Sequence, residues 1–71
     1  MSPPTGPECV RALQRAGFTV LRQTGSHVRL AGPDGQRVTV PLHGAKPLFP
    51  STFASMLRQA GLTAEALRAL L

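Results

Sequence analysis

Residues 18–41 read Phe18-Thr19-Val20-Leu21-Arg22-Gln23, Thr24-Gly25-Ser26, His27-Val28-Arg29-Leu30-Ala31, Gly32-Pro33-Asp34-Gly35, Gln36-Arg37-Val38-Thr39-Val40-Pro41. Polar and apolar residues alternate over 27–31 and again over 36–40, the period of a half-buried strand. Residues 18–23 are rich in β-branched and aromatic types, which favour a pleated surface. Thr24-Gly25-Ser26 reads as a turn. Gly32-Pro33-Asp34-Gly35 is a stronger one, because proline presets φ and glycine reaches positive φ. Pro41 closes the third strand. Short turns between alternating segments make a three-stranded antiparallel meander.

Outside the meander the pattern becomes helical. Residues 1–5 are expected to fray. Thr5-Gly6-Pro7-Glu8 has the spacing of a capping box, with Pro7 tolerated in the first turn. Val10, Leu13 and Ala16 recur at helical spacing, with Cys9 and Ala12 beside them, and Gly17 stops the run. This predicts a helix over 6–16. Residues 42–50 read as a proline-rich loop. Ser51 or Thr52 is expected to cap a second helix whose stripe is Phe53, Met56, Leu57 and Ala60 and whose stop is Gly61. Thr63 caps a short last helix reaching Leu70. The order α-β-β-β-α plus a C-terminal helix implies one α+β domain over 1–71, with the helices on one face of the sheet.

The other face is left open, and composition says what it meets. The chain has 71 residues and a net charge of +5 from 8 Lys+Arg against 3 Asp+Glu. Lys46 is the single lysine; the remaining cations are arginines, whose planar fork matches phosphate. A small basic domain of this kind seeks an anion, nucleic acid first. At this size folding buries only about 60% of the unfolded chain's surface, which leaves no room for a deep cofactor cavity, and no cofactor is expected. One cysteine, Cys9, makes neither an internal disulfide nor a thiolate zinc site. His27 and His43 lack nearby acids to complete a metal site. Glu8, Asp34 and Glu65 lie in separate segments, which argues against two-metal or paired-carboxylate hydrolysis. No apolar run approaches 18 residues, and Met1–Pro7 has no signal-peptide character. The expected location is the cytoplasm.

Alternation gathers His27, Arg29 and Arg37 on the open face. The first strand is less clean: Phe18 and Val20 share one face, yet Leu21 is apolar on the other. Gly25-Ser26-His27 is the most suggestive tripeptide. Gly25 permits a tight turn, whose amides, with the Ser26 hydroxyl, suit a phosphate oxygen. His27 then begins a strand with an imidazole that exchanges protons near neutral pH. An exposed strand histidine is also commonplace, so the tripeptide alone does not establish catalysis. Arg22 and Arg29 flank the turn. Any one arginine there reads as a solvated charge; the case rests on Arg22, Arg29, Arg37 and Lys46 together. Arg11, Arg15, Arg58 and Arg68 read as solvated helix faces. His43 reads first as a positioning residue, ahead of a phosphate contact or a second proton-transfer group. Phe49 is suited to stack on a base, but a loop phenylalanine beside proline more often tucks into the core, and that is the expectation here. Cys9 reads as a small buried hydrophobe.

The ordered set Gly17-Phe18, Arg22-Gln23-Thr24-Gly25-Ser26-His27, Pro33-Asp34-Gly35, Val38-Thr39-Val40-Pro41, His43-Gly44, Lys46 and Leu57-Arg58-Gln59-Ala60-Gly61-Leu62 closely resembles the HicA (YcfA-like) mRNA interferase toxins, over about residues 8–71. The resemblance implies a double-stranded-RNA-binding-domain-like fold and metal-independent, ribosome-independent mRNA cleavage. It places the catalytic histidine at His27 and implies a HicB-type antitoxin covering the RNA-binding face. Where many members carry Gly-Thr before the second helix, this chain has Ser51-Thr52.

The reading reached is the endoribonuclease toxin of a type II toxin–antitoxin pair. His27 is the general base or acid, Gly25 and Ser26 hold the scissile phosphate, and Arg22, Arg29 and Lys46 grip its neighbours. A non-catalytic RNA-binding module on the same face is the alternative. A domain whose basic face serves an acidic protein partner is the third.

Overall fold

The computed structural model describes residues 2–71; the expected fraying over 1–5 in part concerns Met1, which lies outside them. Helix α1 spans Gly6–Arg15, strands β1, β2 and β3 span Thr19–Thr24, His27–Ala31 and Arg37–Pro41, and helices α2 and α3 span Pro50–Ala60 and Ala64–Arg68. The strands form an antiparallel sheet in the order β1-β2-β3. The α+β order expected from the sequence is the one observed.

The capping box at Thr5 forms in both directions. The Thr5 amide donates to Glu8 Oε1 (2.9 Å) and the Glu8 amide donates to Thr5 Oγ1 (3.2 Å). At the other end Gly17 takes φ 94. The Phe18 amide then reaches back to the Leu13 carbonyl (2.9 Å) and the Gly17 amide to Gln14 (3.0 Å), the paired bonds of a Schellman ending. Thr63 caps α3 as expected, accepting from the Ala66 amide at 3.0 Å.

Helix α2 departs from expectation. It starts at Pro50, not after a Ser51 or Thr52 cap, and neither hydroxyl makes a capping bond there. Proline fits the first helical position, and the residue before it is driven to extended backbone; Phe49 sits at φ −61, ψ 145. The same geometry turns the Phe49 ring outward, so the expectation that it enters the core fails. Its neighbour Leu48 is buried instead.

One core fills the space between the helices and the inner sheet face. Val28, Leu30, Val38 and Val40 meet Cys9 and Leu13 of α1, Phe53 and Met56 of α2, and Leu67 of α3. Burial pushes the Cys9 thiol up to about 11, so it stays protonated at neutral pH and serves as a packing group. Two helix arginines do more than meet solvent. Arg15 Nη1 donates to the Leu70 carbonyl (2.6 Å), and Arg68 lies 5.5 Å from the centre of the Phe53 ring.

The edge of β3 is managed on both sides of Val40. The Thr39 amide donates to Gln59 Oε1 of α2 (3.0 Å), and Pro41 has no amide to leave unpaired. Helix α1 begins hard against this strand end: a Cβ on Gly6 would stand 2.5 Å from the Pro41 carbonyl oxygen.

Gly6→Ala is therefore expected to destabilise the fold by roughly 1–3 kcal/mol, the usual range for overpacking. An unchanged urea midpoint would refute that close approach. The Thr5 amide, and then the Thr5 hydroxyl, hold the Glu8 carboxyl below its ordinary value of 4.5. A carboxyl depressed by folding stabilises the fold while ionised, and loses that contribution as pH falls through its folded value. Glu8→Gln should thus narrow the stability difference between about pH 6 and about pH 3; urea midpoints that fall equally for both proteins would show that the cap is not ion-linked.

Candidate functional site

The outer face of the sheet is a grid set by strand register. Thr24 pairs with His27, and His27 with Pro41; Arg22 pairs with Arg29, and Arg29 with Thr39. Ala31 pairs with Arg37 one step further along. His27 and Arg29, two residues apart on β2, stand about 6.6 Å apart along the strand.

Arg22 reaches this face through a bulge. The β1–β2 register shifts between Val20 and Arg22. Val20 lies opposite Leu30, whose side chain is fully buried, while Arg22 lies opposite the exposed Arg29. Leu21 is the extra residue and stays 52% exposed. The bulge accounts for the apolar Leu21 on the polar face that simple alternation left unexplained.

The turn before His27 has two residues. Gly25 has φ 58 and Ser26 is not at positive φ, the pattern of a II′ hairpin turn. A Cβ on Gly25 would meet nothing within 4 Å, so backbone conformation alone asks for glycine there. Among the described residues the Gly25 and Ser26 amides have no acceptor within the chain, while both carbonyls are engaged. Gln23 Nε2 donates to Gly25 O (3.0 Å) and the Leu42 amide donates to Ser26 O (2.6 Å). The turn is held from its carbonyl side and its donors are free.

Arg22, Thr24, His27, Arg29 and Thr39 line one shallow depression. A second one shares Arg22, Arg29 and Thr39 with it and continues to Leu21, Arg37 and Gln59. Together they form a basic track along the sheet. The three carboxylates lie elsewhere: Glu8 in α1, Asp34 in the β2–β3 turn and Glu65 in α3. Of the site residues expected from sequence, Arg22, His27 and Arg29 come together, with Gly25 and Ser26 in the adjoining turn. Lys46 does not join them. It lines a separate depression with His43, Pro47 and Phe49. Thr24 and Gln59 were not anticipated, whereas alternation already turned Thr39 and Leu21 toward the open face. Thr24 was within reach, since a two-residue turn sets it opposite His27; Gln59 needed the helix packing.

Fold and site thus define a small basic α+β domain with an open, arginine-bearing sheet face. The family model of the HicA toxin of bacterial toxin–antitoxin systems matches residues 6–62. The chain belongs to that family, as the toxin half of a pair whose other half is an antitoxin. No curated protein matches the chain. Among the described residues, no helix is long and apolar enough to cross a membrane.

Like charges directly opposite across two strands destabilise a sheet. Arg22→Ala should therefore raise stability by about 0.2–1 kcal/mol at low salt. The gain should shrink at about 1 M salt, where the Debye length is about 3 Å. A loss of stability at low salt would mean that Arg22 has an intramolecular partner.

Proposed function

We propose that this chain is a metal-independent endoribonuclease that cuts mRNA on the Arg22–His27–Arg29 face. The observation that carries the reading is the pairing of Arg22 with Arg29 beside His27, on a face without a carboxylate. Two guanidinium groups set against each other are relieved by phosphate between them.

RNA brings its own nucleophile. His27 takes the proton of a 2′-hydroxyl as its oxygen attacks the adjoining phosphorus. The bond from phosphorus to the 5′ oxygen breaks, that oxygen leaves with a proton from a second donor, and the products are a 2′,3′-cyclic phosphate and a 5′-hydroxyl. Water reaches this open face, and His43 and Lys46 stand on the loop that follows Pro41. The free amides of Gly25 and Ser26 donate to the phosphate oxygens, and Arg22 and Arg29 stabilise the charge that develops there. Lys46, lying apart, meets a more distant phosphate. A HicB-type antitoxin that covers this face would silence it, and the cytoplasm is where its substrate lies.

A second reading, RNA binding without cleavage, is favoured by one observation. Among the described residues nothing hydrogen-bonds the His27 ring to orient it.

Incubating RNA with the protein in EDTA separates the two. Wild type is expected to cleave and leave cyclic phosphate ends. A folded His27→Ala variant is expected to lose at least about a hundredfold in rate, the lower range for general acid–base catalysis. Equal cleavage by the variant would remove His27 from the chemistry; RNA binding by both proteins with cleavage by neither would establish the binding module.

A further inference from the structure

Phe49 is 71% exposed, more than any other large apolar side chain among the described residues. Its backbone is nevertheless fastened on both sides. Before it, Leu48 is 2% exposed, the Leu48 amide donates to the Pro4 carbonyl (2.9 Å), and Pro47 bridges to Thr5. After it, Pro50 opens α2, and the Phe49 carbonyl accepts from the Phe53 amide (2.9 Å). The ring is mounted on fixed backbone and turned to solvent.

One cation, Lys46, stands beside it. His43, Lys46 and Pro47 line the same depression, and residues 42–49 contain no acid. The depression is tied to the His27 turn. His27 pairs with Pro41, the Leu42 amide bonds the Ser26 carbonyl, and the next residue, His43, accepts from the Lys46 amide (3.2 Å). An aromatic face beside a cation is what single-stranded nucleic acid uses: a base stacks on the ring and a phosphate meets the charge. An apolar protein surface would match the ring but would strand the Lys46 charge beside it.

We propose that Phe49 is a base-stacking subsite for single-stranded RNA whose backbone crosses the Arg22–Arg29 face, with Lys46 on an adjoining phosphate. The proposal rests on the RNA reading of that face and adds the place where an unpaired base is held. The longest dimension of the molecule is 29 Å. At roughly 3.4 Å per nucleotide, a strand of about eight nucleotides reaches both His27 and Phe49.

The chain has no Trp or Tyr, so Phe49→Trp introduces a single strong emitter. In a His27→Ala background, a mixed-sequence RNA of about eight nucleotides is expected to quench that emission saturably. In the same background Phe49→Ala should weaken RNA binding roughly 5- to 150-fold, the range for loss of one stacked base. An abasic oligomer of equal length should bind both proteins alike. The urea midpoint should hold, because the ring lies outside the core. Equal RNA affinity with and without Phe49, or unquenched tryptophan, overturns the subsite. Binding lost in Arg22→Ala/Arg29→Ala but kept in Phe49→Ala overturns the subsite and leaves the RNA face standing. No RNA binding by any of these proteins overturns both. Loss of self-association or antitoxin capture in Phe49→Ala, at unchanged RNA affinity, assigns the ring to a protein contact and likewise overturns the proposal.

Discussion

Between Val20 and Arg22 the first strand carries one residue more than its partner, and the separation of the two sheet faces depends on that excess. Strict alternation from Val20 would carry Arg22 to the inner side, next to Leu30 and the core, and would turn Gln23 outward. Every residue of β1 is exposed, so Arg22 would stay solvated there, but it would face the apolar side of the sheet and no longer stand opposite Arg29. The bulge lets β1 keep Val20, 37% exposed, on the core side of the sheet and still present Arg22 opposite Arg29. Leu21 is the residue displaced to make this possible, which is why a leucine stands 52% exposed on a basic surface. Bulges also sharpen local twist and disrupt pairing at an edge, and β1 is an edge strand.

The end of the sheet that carries His27 would fray if it depended on ladder bonds alone. It is fastened by contacts from three directions. Gly6 seats the start of α1 against the Pro41 carbonyl, the Leu42 amide holds the Ser26 carbonyl, and Leu48 anchors the following loop in the core. Each contact consumes an acceptor or fills a space. None takes up the Gly25 and Ser26 amides, so the turn is rigid on one side and unsatisfied on the other. On the proposed reading, that asymmetry leaves the turn's donors to a phosphate.

Features that depend on local periodicity were legible in the residues: the strands over 27–31 and 36–40, the Thr5 and Thr63 caps, and the Gly17 and Gly61 stops. The position of His27 was legible for the same reason, since a two-residue turn and a period of two fix its face. The bulge was not, because an extra residue leaves composition unchanged and appears only against a partner strand. Phe49 was expected in the core and Leu48 takes that place instead, because two adjacent apolar residues beside a proline compete for one pocket, and the winner is set by the φ and ψ that Pro50 imposes on Phe49. Lys46 was grouped with Arg22, Arg29 and Arg37 because all four are cations; the loop in fact carries it to the side of Phe49. The bulge and the place of Lys46 were both hidden because each is a non-local fact.

The conflict between Arg22 and Arg29 is informative because it is not repaired. Departures from local consistency mark places where something other than stability sets the residue, and no carboxylate was placed on this face to neutralise the pair. The surface is also shallow, whereas small ligands are held in enclosing pockets. A polymer needs no enclosure, since its affinity is the sum of many phosphate contacts. On the proposed reading the same economy extends to the chemistry: the nucleophile is part of the substrate, so a proton acceptor and a few fixed donors are all the protein has to supply. A chain of 71 residues, whose core occupies one side of a three-stranded sheet, can leave the opposite side entirely to that task.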